Sequence, residues 1–210
     1  MNAWQLMKAG GPIMIPIGVC SVLALGIVIE KLWYFRIIKT DTQALKKKVF
    51  DFIQGNKIQE AARFCDQEGS PVARILKAGV MNFGAPREAI KEHMEDASLF
   101  EVPKLESRLV ALATIAHISP LLGLLGTVTG MTVSFHTIQV RAASMNPVTP
   151  GDLAGGVGEA LLTTVAGLMV AIPTFVAYNY CVSRVNHYVL EMERAATELV
   201  NFMSRLTEGR

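Results

Sequence analysis

The chain has 210 residues, of which 51% are hydrophobic, and its mean hydropathy is +0.36. That is too apolar for an ordinary soluble domain of this size, and the apolar residues are bunched into long runs. Twenty Lys and Arg stand against 18 Asp and Glu, and a net charge of +2 leaves no electrostatic footprint for nucleic acid.

Three windows exceed the ~20 residues needed to cross a hydrocarbon core. The first runs from Ala9 to Ile29, between Lys8 and Glu30. It is long for the apolar region of a signal peptide and has no convincing small-residue cleavage site, so it is expected to be a retained helix within an N-terminal segment 1–39. Basic residues flanking the windows set orientation. Lys31, Arg36, Lys39 and Lys46-Lys47-Lys48 follow the first window, and Lys104 and Arg108 precede the second. Only Lys8 precedes the first window and only Arg141 lies between the second and third. The bias places the N-terminus and the Arg141 loop outside, with the middle region and the C-terminus in the cytoplasm. Trp33 and Tyr34 suit an interfacial anchor at the inner end of the first span.

The insert 40–108 reads as short cytoplasmic helices. Asp41 can cap a segment carrying Leu45, Val49, Phe52 and Ile53, stopped by Gly55-Asn56. A second covers roughly Lys57 to Gln67. Ser70-Pro71 signals the start of a third, ending near Gly84. Pro86 opens a charged helix whose polar face is expected to be solvated, and Pro103 is expected to kink or interrupt it.

The second span, 109–140, contains no Asp, Glu, Lys or Arg. Ala116, Gly123, Thr127, Gly130, Ser134 and Thr137 recur at helical spacing and put small and hydroxyl residues along one face. Small residues let helices approach closely inside a membrane, which is the expected role of Gly123, Gly126 and Gly130. Thr127 has two readings, bonded back to its own helix or facing an aqueous lumen. A short loop, 141–152, with Pro147 and Pro150, joins this span to the third as an antiparallel hairpin. The third span, 153–183, again shows small residues on one side: Gly156, Ala160, Thr163 or Thr164, Gly167, Ala171 and Thr174. The tail, 184–210, carries Val185, Val189, Met192, Ala196, Leu199, Met203 and Leu206 at alternating steps of 4 and 3. This heptad seam continues the third helix and needs the insert, another copy, or both to cover it.

Glu159 is the ionisable carboxylate of the third span. An acid at mid-bilayer costs roughly 2.5 to 3.5 kcal/mol on insertion scales, so such residues need an internal partner, a watery path or a proton. Six residues in from Leu153, it lies about 9 Å along the helix, near the outer entrance, where the cost falls. Thr164 is about 140° around the axis from Glu159, whereas Thr163 is nearly aligned with it. Either the helix deviates, or Glu159 sits at a helix or subunit boundary while Thr164 faces a pore; the second is the preferred reading.

The runs PLLGLLGTVTG (Pro120 to Gly130), GEALLTTVAGL (Gly158 to Leu168) and AIP (Ala171 to Pro173) closely resemble the ExbB/TolQ branch of the ExbB/TolQ/MotA proton-channel family. The order of spans also matches, over nearly the whole chain. One departure is Thr129, where many ExbB relatives carry Trp. The resemblance implies an all-α inner-membrane protein with three transmembrane helices, the second and third very long and reaching into the cytoplasm, and a small helical insert. It also implies a homo-oligomeric ring, commonly a pentamer, around an ExbD/TolR-type single-span partner bearing a membrane Asp, with a TonB/TolA-type protein as a further partner. Such complexes use proton-motive force for mechanical work on the envelope, with ring rotation about the partner helices as the favoured scheme. By motif position the family's polar residues fall on Thr127, Glu159 and Thr164.

Two functional classes follow. The first is a proton-pathway subunit using Thr127, Glu159 and Thr164, with Thr163 as the aligned neighbour of Glu159. The second is a non-conducting membrane scaffold whose small-residue faces, including Gly156 and Gly167, only build an oligomer; there Glu159 is a structural acid bonded to nearby backbone or hydroxyl. An enzyme is not expected. His117 and His136 lie several turns apart and cannot form one metal site in a subunit, no nucleophile–base spacing or phosphate loop is present, and no cofactor is implied. Cys20, Cys65 and Cys181 are too dispersed for a disulfide framework or a metal site.

Overall fold

A computed structural model describes residues 10–144, 147 and 149–208. Among them the chain is all-α, with α1 (Met14–Ile37), α2 (Thr42–Gln54), α3 (Ile58–Glu68), α4 (Pro71–Met81), α5 (Arg87–Glu106), α6 (Leu109–Ala143) and α7 (Pro150–Glu208). Three stretches are long and apolar enough to cross a membrane: α1, Arg87–Ala143 and Leu153–Leu206. The third span and the heptad tail are one uninterrupted helix, α7, which passes through Pro173.

The chain divides into two compact units. One, the membrane unit, comprises Arg108–Tyr180 with the described residues up to Glu30. The other comprises Lys31–Ser107 with the described residues from Cys181 onward.

In the second unit local chemistry sets the helix ends. The Asp41 carboxylate accepts from the backbone N–H of Gln43 and Ala44 at 3.0 and 3.2 Å and starts α2. Gly55 closes it by donating to the Asp51 carbonyl. Gly69, in the left-handed region at φ +60°, ends α3. Ser70 Oγ accepts from Ala73 N–H at 3.2 Å and Pro71 fills the first position of α4. That helix ends at Met81, a turn earlier than Gly84 suggested.

The break between α5 and α6 falls at Arg108 rather than Pro103. Helix α5 runs through Pro103 to Glu106. The carbonyl deprived of its donor belongs to Leu99, an exposed residue, so water can replace the missing N–H. Past Glu106 the Lys31 ammonium takes over the end of the helix. It is buried, donates to the Leu105 carbonyl at 3.0 Å and to Ser107 Oγ at 3.3 Å, and lies over the Tyr34 ring. A cation on terminal carbonyls satisfies them and opposes the helix dipole. Arg108 then adopts φ +63°, costly for a side-chain-bearing residue, and is held by an ion pair to Glu30 within the membrane unit.

The heptad seam of α7 packs on the insert of the same chain. Leu199 and Met203 are buried. A methyl at Gly79 would come within 2.7 Å of Leu199 Cδ2 and 2.6 Å of Met94 Sδ, so α4 lies directly against the tail. Phe50 stacks on Phe202 at 4.6 Å between centroids, Lys46 Nζ pairs with Glu198 at 2.7 Å, and Thr42 donates to Glu191 at 2.6 Å. Glu101, 5% exposed, is neutralised from two sides by Arg74 and Lys104, each at 2.6 Å. On α5 the charges Glu88, Lys91, Glu92 and Glu95 are exposed.

Two predictions follow from this packing. Truncating Leu199 to Ala should cost about 2–5 kcal/mol, because the insert cannot collapse into the gap beside Gly79 and Met94; thermal unfolding of the solubilised chain reads it. The thiol of Cys65 is fully buried and pushed up to about 11, by burial first and then by the Asp66 carboxylate. Since only the thiolate reacts, Cys65 should resist a water-soluble maleimide at neutral pH and become labelled when the chain is denatured.

Candidate functional site

Inside the membrane unit α6 and α7 form an antiparallel pair whose register is written in small residues. Each glycine on the seam stands where the other helix leaves no room. A Cβ at Gly123 would lie 3.0 Å from the Thr163 carbonyl oxygen and from Thr164 Cα. At Gly126 it would collide with the Thr163 side chain, and at Gly130 it would lie 2.7 Å from the Gly156 carbonyl oxygen. In return, a side chain at Gly156 would strike Ser134 Oγ, and one at Gly167 would come within 2.6 Å of the Ser119 carbonyl oxygen. The buried side of α6 comprises Leu112, Ala116, Ser119, Gly123, Gly126, Gly130 and Ser134; facing it on α7 are Ala160, Thr163, Gly167, Ala171 and Thr174. Of the two threonines open in the sequence, Thr163 is therefore the one turned inward, at 1% exposure.

Hydroxyls along this pair are satisfied within their own helices. Ser119 donates to the Ile115 carbonyl at 2.7 Å, Ser134 to Gly130 at 3.1 Å, Thr163 to Ala160 at 2.8 Å and Thr174 to Val170 at 2.6 Å. Such back-bonding lets a hydroxyl sit in an apolar helix without an orphaned donor. Thr127 behaves the same way, donating to the Leu124 carbonyl at 2.6 Å from the half-buried edge of the seam. Thr129 bonds to the Leu125 and Gly126 carbonyls and is exposed. Thr164 differs. Its hydroxyl reaches across to the Gly123 carbonyl at 3.1 Å, shorter than its 3.4 Å contact to its own helix, so it ties the two helices together.

Glu159 is half-buried and does not join the hydroxyl row. Its carboxylate lies against Gly11, in the turn that leads into α1. Among the described residues no cation pairs with it. The structure thus brings Thr163 and Thr164 to the α6 backbone, leaves Thr127 at the edge of the same seam, and puts Glu159 beside a third segment. Sequence reasoning passed over Ser119 and Gly11. Ser119 stands four residues before Gly123 on the buried face, a spacing that could have been extended one step. The Gly10-Gly11-Pro12 run was a turn signal whose tertiary neighbour no local pattern encodes.

The remaining polar candidates have structural surroundings. His117 Nδ1 lies 2.7 Å from the Ala113 carbonyl oxygen, and its ring meets Phe175 edge-on. His136 is exposed. Among the described residues no group of His, Cys, Asp and Glu could hold a metal ion. Outward from the pair, Leu121, Leu124, Leu125, Val128, Val165 and Met169 are exposed, an apolar surface suited to lipid or a neighbouring helix.

Close approach at Gly126 makes a specific demand. Gly126→Val should separate α6 from α7 and expel Thr163 from its pocket, lowering the yield of folded protein in the membrane. Gly155→Ala, where nothing lies within 4 Å of the added methyl, should be tolerated. Protease resistance of the two variants in isolated membranes distinguishes them.

Residues 67–194 match the family described as the MotA/TolQ/ExbB proton channel family. The chain is 32% identical over 171 residues to a putative biopolymer transport protein, ExbB-like 3, of Synechocystis sp., covering 81% of this chain and 80% of that one. It is 30% identical over 178 residues to the Tol-Pal system protein TolQ of Pseudomonas aeruginosa, covering 80% and 75% of the two chains. With the biopolymer transport protein ExbB of Neisseria meningitidis serogroup A it shares 29% over 198 residues, covering 86% and 87%. The matched region contains the whole glycine seam, Thr127, Glu159 and Thr164, and the chain belongs to the ExbB/TolQ branch of the MotA/TolQ/ExbB proton channel family.

Proposed function

We propose that this chain is the ring-forming subunit of an ExbB–ExbD or TolQ–TolR type motor, converting proton-motive force into mechanical work on the cell envelope. The observation that carries this reading is the family match across residues 67–194, which spans both helices of the polar hairpin. The proposed setting is a bacterial inner membrane, with the N-terminus and the Arg141 loop periplasmic and the insert and tail cytoplasmic. The proposed assembly is a homo-oligomer, a pentamer by family likeness, around a single-span partner that supplies a membrane Asp, with a TonB/TolA-type protein beyond it.

In this reading Thr127 and Thr164 offer hydroxyl oxygens beside the partner's path. Each hydroxyl already has an intramolecular acceptor, so its proton is committed and its lone pairs remain to accept from water or from a protonated carboxyl. Glu159 supplies the exchangeable charge near the periplasmic end, where insertion is least costly. Thr163 acts indirectly: buried against Gly126, it sets the register that aims its neighbours.

The test uses the complex isolated through this chain with its co-purifying partner and reconstituted in vesicles under an imposed potential. Glu159→Gln should lower proton flux by about a hundredfold, the scale on which removing a positioned proton-transfer group acts. Thr164→Val should lower it by up to about tenfold, the equivalent of one lost hydrogen bond. Thr164→Ser should retain flux. Undiminished flux in both Glu159→Gln and Thr164→Val, with assembly intact, would exclude these residues from the pathway; loss of assembly alone would instead favour a scaffold.

A further inference from the structure

The turn leading into α1 has an unusual relation to Glu159. Gly11 adopts φ +68°, a conformation that side-chain-bearing residues rarely take, and Pro12 follows it. Its carbonyl accepts from Met14 N–H at 3.2 Å and so closes the first turn before the helix. Gly10 is buried beside it, and Met14 and Ile17 bury the side of α1 that continues from the turn. The space a Cβ at Gly11 would fill is occupied by the Glu159 carboxylate, with Glu159 Cδ only 2.8 Å and Cγ 3.6 Å from that position. Two features of glycine are thus used at one residue: the left-handed backbone and the empty side-chain volume. Gly69, also at positive φ, has only the Asp66 carbonyl oxygen near an added methyl, at 3.9 Å. Gly84, at φ +91°, has nothing within 4 Å of an added methyl.

We propose that Gly11 is a positioning residue for Glu159, its missing side chain forming the seat in which the carboxylate rests against the leading turn of α1. This rests on the reading of Glu159 as a pathway residue. The seat covers the carboxylate on the side facing Gly11. Added bulk at Gly11 meets the far end of a flexible side chain rather than backbone, so the least costly relief is rotation of Glu159 out of its seat.

The test compares Gly11→Ala, Glu159→Asp, the double variant and Glu159→Gln in the reconstituted complex, scored by proton flux per assembled complex. Gly11→Ala should lower flux by about tenfold or more, as expected for a group displaced by about an ångström. The shorter carboxylate of Glu159→Asp withdraws from the added methyl, so the double variant should conduct at least as well as Glu159→Asp alone. Unchanged flux in Gly11→Ala while Glu159→Gln is impaired would overturn the positioning role and leave the pathway reading standing. So would a double variant in which the two losses simply multiply, which marks backbone strain. Normal flux in Glu159→Gln would remove the pathway reading itself. A second measurement does not depend on the alanine variant: the position of Glu159 Cγ, 3.6 Å from the Cβ site, is where a cysteine sulfur would stand, so Gly11→Cys/Glu159→Cys should crosslink on mild oxidation and neither single variant should. Failure of the pair to crosslink in folded protein would overturn the seat.

Discussion

Within the membrane unit the approach of α6 to α7 is set by absent side chains, and most of what surrounds the pair follows from that closeness. Lipid tails are as apolar as leucine, so no hydrophobic drive holds two spanning helices together, and packing and short polar contacts must do so. Gly123, Gly126 and Gly130 let the backbone of α7 come near enough for the Thr164 hydroxyl to reach a main-chain carbonyl on α6. Gly156 and Gly167 return the favour along the same line, against Ser134 and the Ser119 carbonyl. A single Cβ in this row is sterically disallowed at several points. The seam therefore specifies register as well as proximity, since a slip by one residue would set threonine against threonine.

The second unit solves a different problem. Its heptad tail and short helices have water on one side, so burial itself stabilises them, and the charges that enter the interior are neutralised or capped. Glu101 has two cations, Lys46 a carboxylate, and Lys31 the carbonyl end of α5. Removing Glu198 would strand the buried Lys46 ammonium, whereas removing Arg74 would leave Lys104 on Glu101. Glu159 stands apart from this pattern. Where buried charges of the insert meet opposite charge or aligned carbonyls, this carboxylate lies against a glycine.

Much of this was legible in the residues. The caps at Asp41 and Ser70, the stop at Gly55 and the small-residue spacing of both long spans are local signals, and each is a matter of what one or two neighbouring residues can bond or clear. The heptad in the tail announced an unburied seam. What covers that seam was not legible, because the insert and another copy offer the same apolar chemistry at the level of sequence. Pro103 does not interrupt its helix, because the residue whose carbonyl loses its donor, Leu99, is exposed and water can take the place of the missing N–H. The actual break depends on Lys31, distant in sequence from the carbonyls it caps.

The candidate site shows the same division between local and distant information. Which of Thr163 and Thr164 faces α6 is a rotation of 100° about one helix, and helical periodicity alone left both on the small side. The partner helix decides it, since Gly126 opens a pocket for one hydroxyl-bearing side chain and Gly123 presents a carbonyl to the other. The consequence for the polar row is a hierarchy. Thr163 packs against Gly126 with only a long 3.5 Å contact to the Gly123 carbonyl, Thr164 reaches that carbonyl at 3.1 Å, and Thr127 donates to Leu124 of its own helix. Among the described residues no cation pairs with Glu159, whereas Glu101 lies between Arg74 and Lys104. Glu101 is thus fixed by two ion pairs, while Glu159 rests against the turn at Gly11.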